Sequence, residues 1–469
     1  TAKLFFFFFL FSLSSISRIF SVLIPGLYDI MESMNYGRHL HKRLKHSLLS
    51  LLVGVLTLGP ISTAFADDIY QQEDVMKIAA DAGLVLDDFY KPKADIVIDA
   101  NTGAILYGDN IDTVRDSGSM AKLMSAYVVF RALKEGKITY DTVVTATEAD
   151  QAISENNLLS NSPIVAGVDY KVSELIKMLF VPSSSAAVIM LANAVTDNDP
   201  DKFLDLMNQY AQEMGMTNTK WHNPNGAMIS VLQGHYNPQR YDVHANNEIT
   251  ARDMSILAYH IVNDLPEMLE YTKQAHTTIM EGTPYEQSYD NYNTSLEGGK
   301  FSLKGTDGLK TGSSPTADYN YTATTKRGKQ RIIEVILGVG NYDVEIAESY
   351  RNQIGNTLAE KMFADYQYKK VLSAGDHTID GKTVHLKQDL YATVKKGTNP
   401  AIKLEGNRLV VKNGLQQVSP SIKAGIAVSD SKATNSSSHK RLDIMWLFCF
   451  LPAGILYLIF KQTDPKRRK

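Results

Sequence analysis

The stretch GSMAKLMSAYVVF, residues 118–130, is apolar almost throughout and carries one lysine, Lys122, three residues after a serine, Ser119. A helix that is apolar on every side is buried, and a buried ammonium loses proton affinity unless something compensates. Residues three apart on a helix face each other, so Lys122 lies against the Ser119 hydroxyl. A lysine desolvated in this way can take the serine proton and so create a nucleophile for acyl transfer. Taken alone, the pair also reads as a helix-capping serine and a lysine whose stem is buried and whose head reaches water. Further motifs decide between the two.

Downstream, TDGLKTGSSPTADYN places Lys310, Thr311 and Gly312 after a short apolar approach and before small hydroxyl residues. A serine three before a lysine, then a serine-containing motif, then Lys-Thr-Gly is an order that resembles the signature of penicillin-binding proteins and serine β-lactamases. Two stretches compete for the middle position. Ser154-Glu155-Asn156 fits Ser-x-Asn literally, whereas Ser183-Ser184-Ser185 does not. The second is preferred, because VDYKVSELIKMLFVPSSSAAVIMLANAV resembles the segment V-x-E-L-L-x-x-M-L-x-x-S-x-N-x-A-A that carries the middle motif in D-alanyl-D-alanine carboxypeptidases. The first then reads as a surface loop. TNTKWHNPNGA and NNEITARDMSILAYHIV are similar to the T-x-F-x-N-x-x-G and S-T-A-x-D-x-A-x-L segments of the same family. Residues about 78–348 thus resemble the transpeptidase-type domain of the low-molecular-mass penicillin-binding proteins, the serine D-Ala-D-Ala carboxypeptidases.

The resemblance implies an α+β fold of the β-lactamase/transpeptidase type, an antiparallel sheet sandwiched by helices, with the site where the Ser119 helix meets the Lys310 strand. It implies that Ser119 attacks the carbonyl between two D-alanines, that Lys122 takes its proton, and that water resolves the acyl-enzyme. The backbone N–H groups of Ser119 and Ser313 would stabilise the oxyanion, and Ser183 would relay a proton to the departing D-alanine. Lys310, Thr311 and Ser313 would hold the terminal carboxylate. Gly312 is expected to keep the strand open, since a side chain there would obstruct a substrate laid along it. The chain departs from the family pattern at Ser185, where an asparagine belongs, and at Gly118, where proline or alanine is frequent. Ser185 can still donate and accept but reaches less far than an amide. No cofactor and no metal enter this chemistry. The partners implied are peptidoglycan stem peptides ending in D-Ala-D-Ala, with β-lactam antibiotics as inhibitors.

The elements that must position these residues are legible in the periodicity. ADIVIDANTGAILYGDN reads as an outer strand-turn-strand, and DYNYTATTKRGKQRIIEVILGVG as a second, central hairpin turning at Arg327-Gly328. The helix IAESYRNQIGNTLAEKMFADYQY follows. From about residue 370 to 428, short Val- and Lys-containing strands alternate with turn signals, which predicts a small all-β domain. The expected division is therefore a catalytic domain over 67–348, and the closing helix with the β-domain over 349–428. A polar linker over 429–443 comes next.

A chain of 469 residues exceeds one compact domain. Its net charge of −3, with acidic and basic residues intermixed, carries no signature of nucleic-acid binding. The single cysteine, Cys449, excludes an intramolecular disulfide and a cysteine-based metal site. Residues 1–66 read as a mis-extended start followed, from Met34, by an export signal: basic residues, the apolar run SLLSLLVGVLTLGPIS, and Ala64-Phe65-Ala66 as a small-x-small cleavage site. Ile444–Phe460 is an apolar run of about seventeen residues, the short limit for a membrane helix, and the basic tail 461–469 keeps that end in the cytoplasm. The expectation is an exported enzyme, anchored in the cell membrane with its catalytic domain outside. Two other functions compete. A β-lactamase would need a deacylating carboxylate after the middle motif, and no matching Glu-x-x-Leu-Asn is present there. A non-catalytic cell-wall-binding relative would explain Ser185 but gives no reason to keep both Lys122 and Lys310.

Overall fold

QRIIEVILGV, residues 330–339, is apolar at most positions, as a strand covered on both faces is. In the structure, a computed structural model that describes residues 73–430, this segment is a central strand of the main sheet. The five antiparallel strands are β1 (Ala94–Asp99), β2 (Ile105–Asp109), β3 (Thr306–Ser314), β4 (Asp318–Arg327) and β5 (Gln330–Val339), in the order β2-β1-β5-β4-β3. Along β5 the side chains alternate: Ile333, Val335 and Leu337 enter one core, Ile332 and Ile336 the other. The β1-β2 hairpin lies at one edge and the β4-β5 hairpin is central, as the periodicity predicts. Strand β3, which carries Lys310, forms the opposite edge.

The helices named below are α1 (Val75–Asp81), α2 (Ala121–Lys134), α3 (Glu148–Ser154), α4 (Val172–Phe180), α5 (Ser185–Thr196), α6 (Pro200–Met214), α7 (Ala251–Asp264) and α8 (Ile346–Asp365). Helices α2 and α4 to α7 bury their apolar residues in the core on one sheet face. Helices α1 and α8 cover the other. Helix α4 stops where Pro182 cannot continue it, and α5 starts afresh with Ser184 as its N-cap, the hydroxyl accepting from Ala187 N at 3.3 Å. The break leaves three consecutive serines between two buried helices.

The division expected at residue 349 needs correction. Helix α8 begins at Ile346 and belongs to the catalytic domain, because Ala347, Ile354, Leu358 and Met362 pack against Tyr321, Ile332 and Ile336 of the sheet. The β-domain starts at once behind it, with Tyr366–Leu372 pairing to Leu390–Lys395. Its small core is built on Val384, Leu386, Leu390 and Leu409. It docks on the β1-β2 turn, where Thr393 Oγ1 donates to the buried Asp99 Oδ2 at 2.5 Å and Val418 N donates to Gly103 O at 2.9 Å. The linker expected from 429 also starts later, since Ser429–Asp430 still pairs with Lys382–Leu386. The expected export signal, the rest of the expected linker, the expected membrane span Ile444–Phe460 and the basic tail lie outside the described residues. Among the described residues no helix is long and apolar enough to cross a membrane, and no group of His, Cys, Asp or Glu could hold a metal ion.

Candidate active site

Helix α2 has no side-chain cap and is entered through a 3₁₀ turn, Gly118–Met120, so Ser119 is left free to face the next turn. Lys122 Nζ stands 3.0 Å from Ser119 Oγ, 2.9 Å from the Asn225 carbonyl oxygen and 3.4 Å from Ser185 Oγ. No carboxylate accompanies it, and burial alone pushes the Lys122 ammonium down to about 7. The neutral amine has two N–H groups and one lone pair. The Asn225 carbonyl and the Ser185 hydroxyl can accept the two N–H bonds, which leaves the lone pair to accept the Ser119 O–H.

The turn is clamped by its neighbours. Asn320 Nδ2 of β4 donates to the carbonyls of Asp116 and Ser117 at 2.9 and 3.2 Å, and Asn247 Nδ2 donates to Ser117 Oγ at 3.2 Å. A Cβ on Gly312 would lie 2.6 Å from Ser117 O and 2.8 Å from Met120 N. Close packing of the nucleophile's own turn on β3 thus demands a glycine at 312, a reason the sequence expectation of room for substrate did not include. Gly226 answers from the other side: with φ at +92°, its Cβ would meet Gly118 O at 2.0 Å. Asn225, Gly226, Asn247 and Asn320 were given no role by the sequence, although HNPNGA stood out as a similar segment. Asn225 meets Lys122 through its backbone carbonyl, a contact that residue type does not encode.

Ser119, Ser183, Lys310, Thr311, Gly312 and Ser313 line one cleft of about 380 Å³. Ser183 sits at φ +58°, a left-handed conformation unusual for serine, and its buried Oγ has no protein partner. It offers the cleft a free hydroxyl. Ser185 is set behind it, at the first turn of α5, and touches Lys122 rather than lining the cleft. Lys310 is fully buried with Nζ donating to the Thr311 carbonyl at 3.0 Å; burial first, and then the charge of Lys122, holds its ammonium well below the ordinary lysine range. The literal Ser-x-Asn stretch lies elsewhere. Ser154 ends α3 with its Oγ donating to Gln151 O of the same helix at 2.8 Å, Asn156 Nδ2 donates to the distant Val231 O at 2.8 Å, and neither residue lines the cleft.

A serine beside a neutral amine, in a cleft lined by a further basic side chain, Lys310, suits acyl transfer from a substrate with an anionic end. Comparison with known proteins points the same way. Residues 87–341, more than half of the chain, match the family described as D-alanyl-D-alanine carboxypeptidase. Residues 368–429 match a family described only as a domain of unknown function. The D-alanyl-D-alanine carboxypeptidase DacA of Haemophilus influenzae is 29% identical over 320 residues, 66% of this chain and 73% of that one. DacC of Escherichia coli K12 is 30% identical over 260 residues, 55% of this chain and 59% of that one. Among solved structures, penicillin binding protein 5 from Haemophilus influenzae aligns with a TM-score of 0.56 at 25% identity, over 72% of this chain and 95% of that one. The fold is also that of a peptidoglycan synthesis regulatory factor (PBP3) from Streptococcus pneumoniae, with a TM-score of 0.62 at 24% identity over 72% and 98% of the two chains. Since the matched region contains the Ser119 turn, the Ser183 break and strand β3 together, the chain belongs to the D-alanyl-D-alanine carboxypeptidase family.

Proposed function

We propose that the protein removes the terminal D-alanine from peptidoglycan stem pentapeptides by way of an acyl-enzyme on Ser119, and that β-lactam antibiotics acylate the same oxygen. The observation that carries this reading is the 3.0 Å contact between Ser119 Oγ and a Lys122 amine held near neutrality by burial. The Ser119 proton passes to Lys122 Nζ as Oγ attacks the carbonyl carbon between the two D-alanines. The resulting oxyanion is met by the N–H groups of Ser119 and Ser313. The C–N bond then breaks as the proton held on Lys122 Nζ passes through Ser183 to the leaving nitrogen, so that D-alanine departs and the amine is neutral again. Water, giving its proton to the same amine, attacks the ester, and the amine returns that proton to Ser119 Oγ as the ester bond breaks. Lys310, Thr311 and Ser313 hold the terminal carboxylate at the β3 wall. The enzyme is exported and held at the cell membrane by Ile444–Phe460, with the cleft outside; support for this is the apolar run and the basic residues behind it.

The test is release of free D-alanine from an N-acylated L-Lys-D-Ala-D-Ala peptide. The wild-type protein should release it, and Ser119→Ala should release none. Release at the wild-type rate by Ser119→Ala would overturn the assignment of the nucleophile.

A further inference from the structure

In the acyl-enzyme reading the oxyanion is met by N–H groups from two elements far apart in the chain, Ser119 in the 3₁₀ turn and Ser313 in strand β3. Their separation must stay fixed, because a donor aimed past the oxyanion contributes little. Strand β3 is an edge strand whose ladder joins it to β4 alone, so the ladder secures only one of its sides. On the other side lies the Ser119 turn, and a Cβ on Gly118 would stand 2.9 Å from Ser313 N. Close contact of this kind stops turn and strand from approaching further. It does nothing to stop them parting.

One carboxylate spans the gap. Asp116 Oδ1 accepts from Gly118 N at 3.2 Å, and its Oδ2 accepts from Ser314 Oγ at 3.0 Å and from Thr316 Oγ1 at 2.5 Å. Gly118 immediately precedes Ser119, and Ser314 immediately follows Ser313. Ser314 Oγ also accepts from Ala317 N at 3.0 Å, so the β3-β4 turn closes on the same atom. These three donors to Asp116 are neutral, an amide and two hydroxyls, and they do not balance the charge of a half-buried acid. What they give the molecule is a bridge.

We propose that Asp116 is a positioning residue for the oxyanion hole: by tying the residue before Ser119 to the residue after Ser313, it fixes the distance between the two N–H groups that meet the oxyanion. This rests on the acyl-enzyme reading and adds to it a residue outside the three motifs. The bridge needs an acceptor towards Gly118 and a polar atom towards the two hydroxyls, but no charge. Asparagine can supply both, since its Oδ1 accepts from Gly118 N while its Nδ2 donates to the hydroxyl oxygens.

The test measures kcat and KM of the full-length chain on an N-acylated L-Lys-D-Ala-D-Ala peptide, and the Kd of a peptide boronic acid. The boron bonds to Ser119 Oγ as a tetrahedral boronate and places a hydroxyl where the oxyanion forms. Asp116→Ala should lower kcat by roughly tenfold to a hundredfold, the cost of a misplaced group. KM should change little, as for an interaction made only in the transition state, and the boronate should weaken along with kcat. Asp116→Asn should stay within about threefold of the wild type in all three, the low end of one hydrogen bond's worth. An Asp116→Ala protein whose loss lies in KM, with kcat and boronate affinity unchanged, would show a merely structural role and overturn the inference. So would an Asp116→Asn protein as impaired as Asp116→Ala, since the charge and not the bridge would then matter. If Asp116→Ala fails to fold, judged by circular dichroism, Ser314→Ala combined with Thr316→Val is read in its place. That variant cuts the bridge on the β3 side, so kcat and boronate affinity should fall together, and unchanged values overturn the inference. A wild type that binds the boronate but releases no D-alanine would instead sink the carboxypeptidase reading, while the boronate affinities of the variants would still test the bridge.

Discussion

Lys122 serves as a base only while neutral, and burial sets its pKa at about 7. The amine is therefore increasingly available as pH rises through 7 and increasingly protonated below it. The second-order rate of penicillin acylation should climb by about tenfold per pH unit on the acid side and level off above neutrality. Stopped-flow rates from pH 5 to 9 check this, and a rate that falls across that rise would contradict the base assignment. Lys122→Arg should abolish acylation at every pH, since arginine stays charged. Ser185 is the position where the chain leaves the family pattern, and its Oγ meets Lys122 Nζ at a long 3.4 Å. Restoring an amide by Ser185→Asn should raise kcat/KM on a D-Ala-D-Ala peptide by roughly twofold to a hundredfold, the worth of one hydrogen bond. Ser183→Ala should lower it much further. If Ser185→Asn changes nothing and Asn156→Ala abolishes activity, the middle motif is misplaced. At this scale the sequence singled out Ser119, Ser183, Lys310, Thr311 and Ser313, which the structure brings to one cleft. It concealed Asn225, which meets Lys122 through a carbonyl that any residue possesses.

At the level of elements, what holds the nucleophile is close backbone approach. The Ser119 turn is pressed between β3 at Gly312 and the 223–226 loop at Gly226. Gly226→Ala would put a methyl group 2.0 Å from Gly118 O, whereas Gly136→Ala, also at positive φ, would meet nothing within 4 Å. Both substitutions carry the backbone cost of a left-handed alanine. Gly226→Ala should therefore destabilise the protein by about 1–3 kcal/mol beyond Gly136→Ala in urea unfolding, and should lose penicillin acylation where Gly136→Ala keeps it. Equal effects would mean that the clamp yields. The hairpins were legible because alternation has period two and because Gly328 marks the turn. The boundary at α8 was not, since helix and strand abut at Asp365 and Tyr366 with no glycine or proline between them. Gly312 was legible as a necessary glycine but its packing against the Ser119 turn was not, because sequence spacing does not show which backbone lies across from it.

For the molecule as a whole, the small β-domain is not a loose appendage. The buried Asp99 carboxylate accepts from Thr102 and Asn101 of its own turn at Oδ1 and from Thr393 of the β-domain at Oδ2, so the docking contact completes the hydrogen bonding of a buried acid. The composition-based outline of a helical and sheet domain followed by a small β-domain was readable from pattern alone. Their contact was not, because Asp99 and Thr393 are distant in sequence and ordinary in type. The proposed anchor gives a test at the same scale. A chain that keeps its export signal but ends at Lys440 should appear in the culture medium, while the full-length chain stays with the membrane fraction. Recovery of the shortened chain in the membrane fraction would show that another segment holds it there.

The central claim is that one serine, Ser119, is the acyl-accepting group. Mass spectrometry of the intact protein after penicillin treatment, followed by peptide mapping, tests it most directly. The account predicts one penicilloyl group per chain, on the peptide containing Ser119, and none on Ser119→Ala. An adduct of equal yield on Ser119→Ala, or one mapped to Ser183 or Ser313 in the wild type, would contradict it.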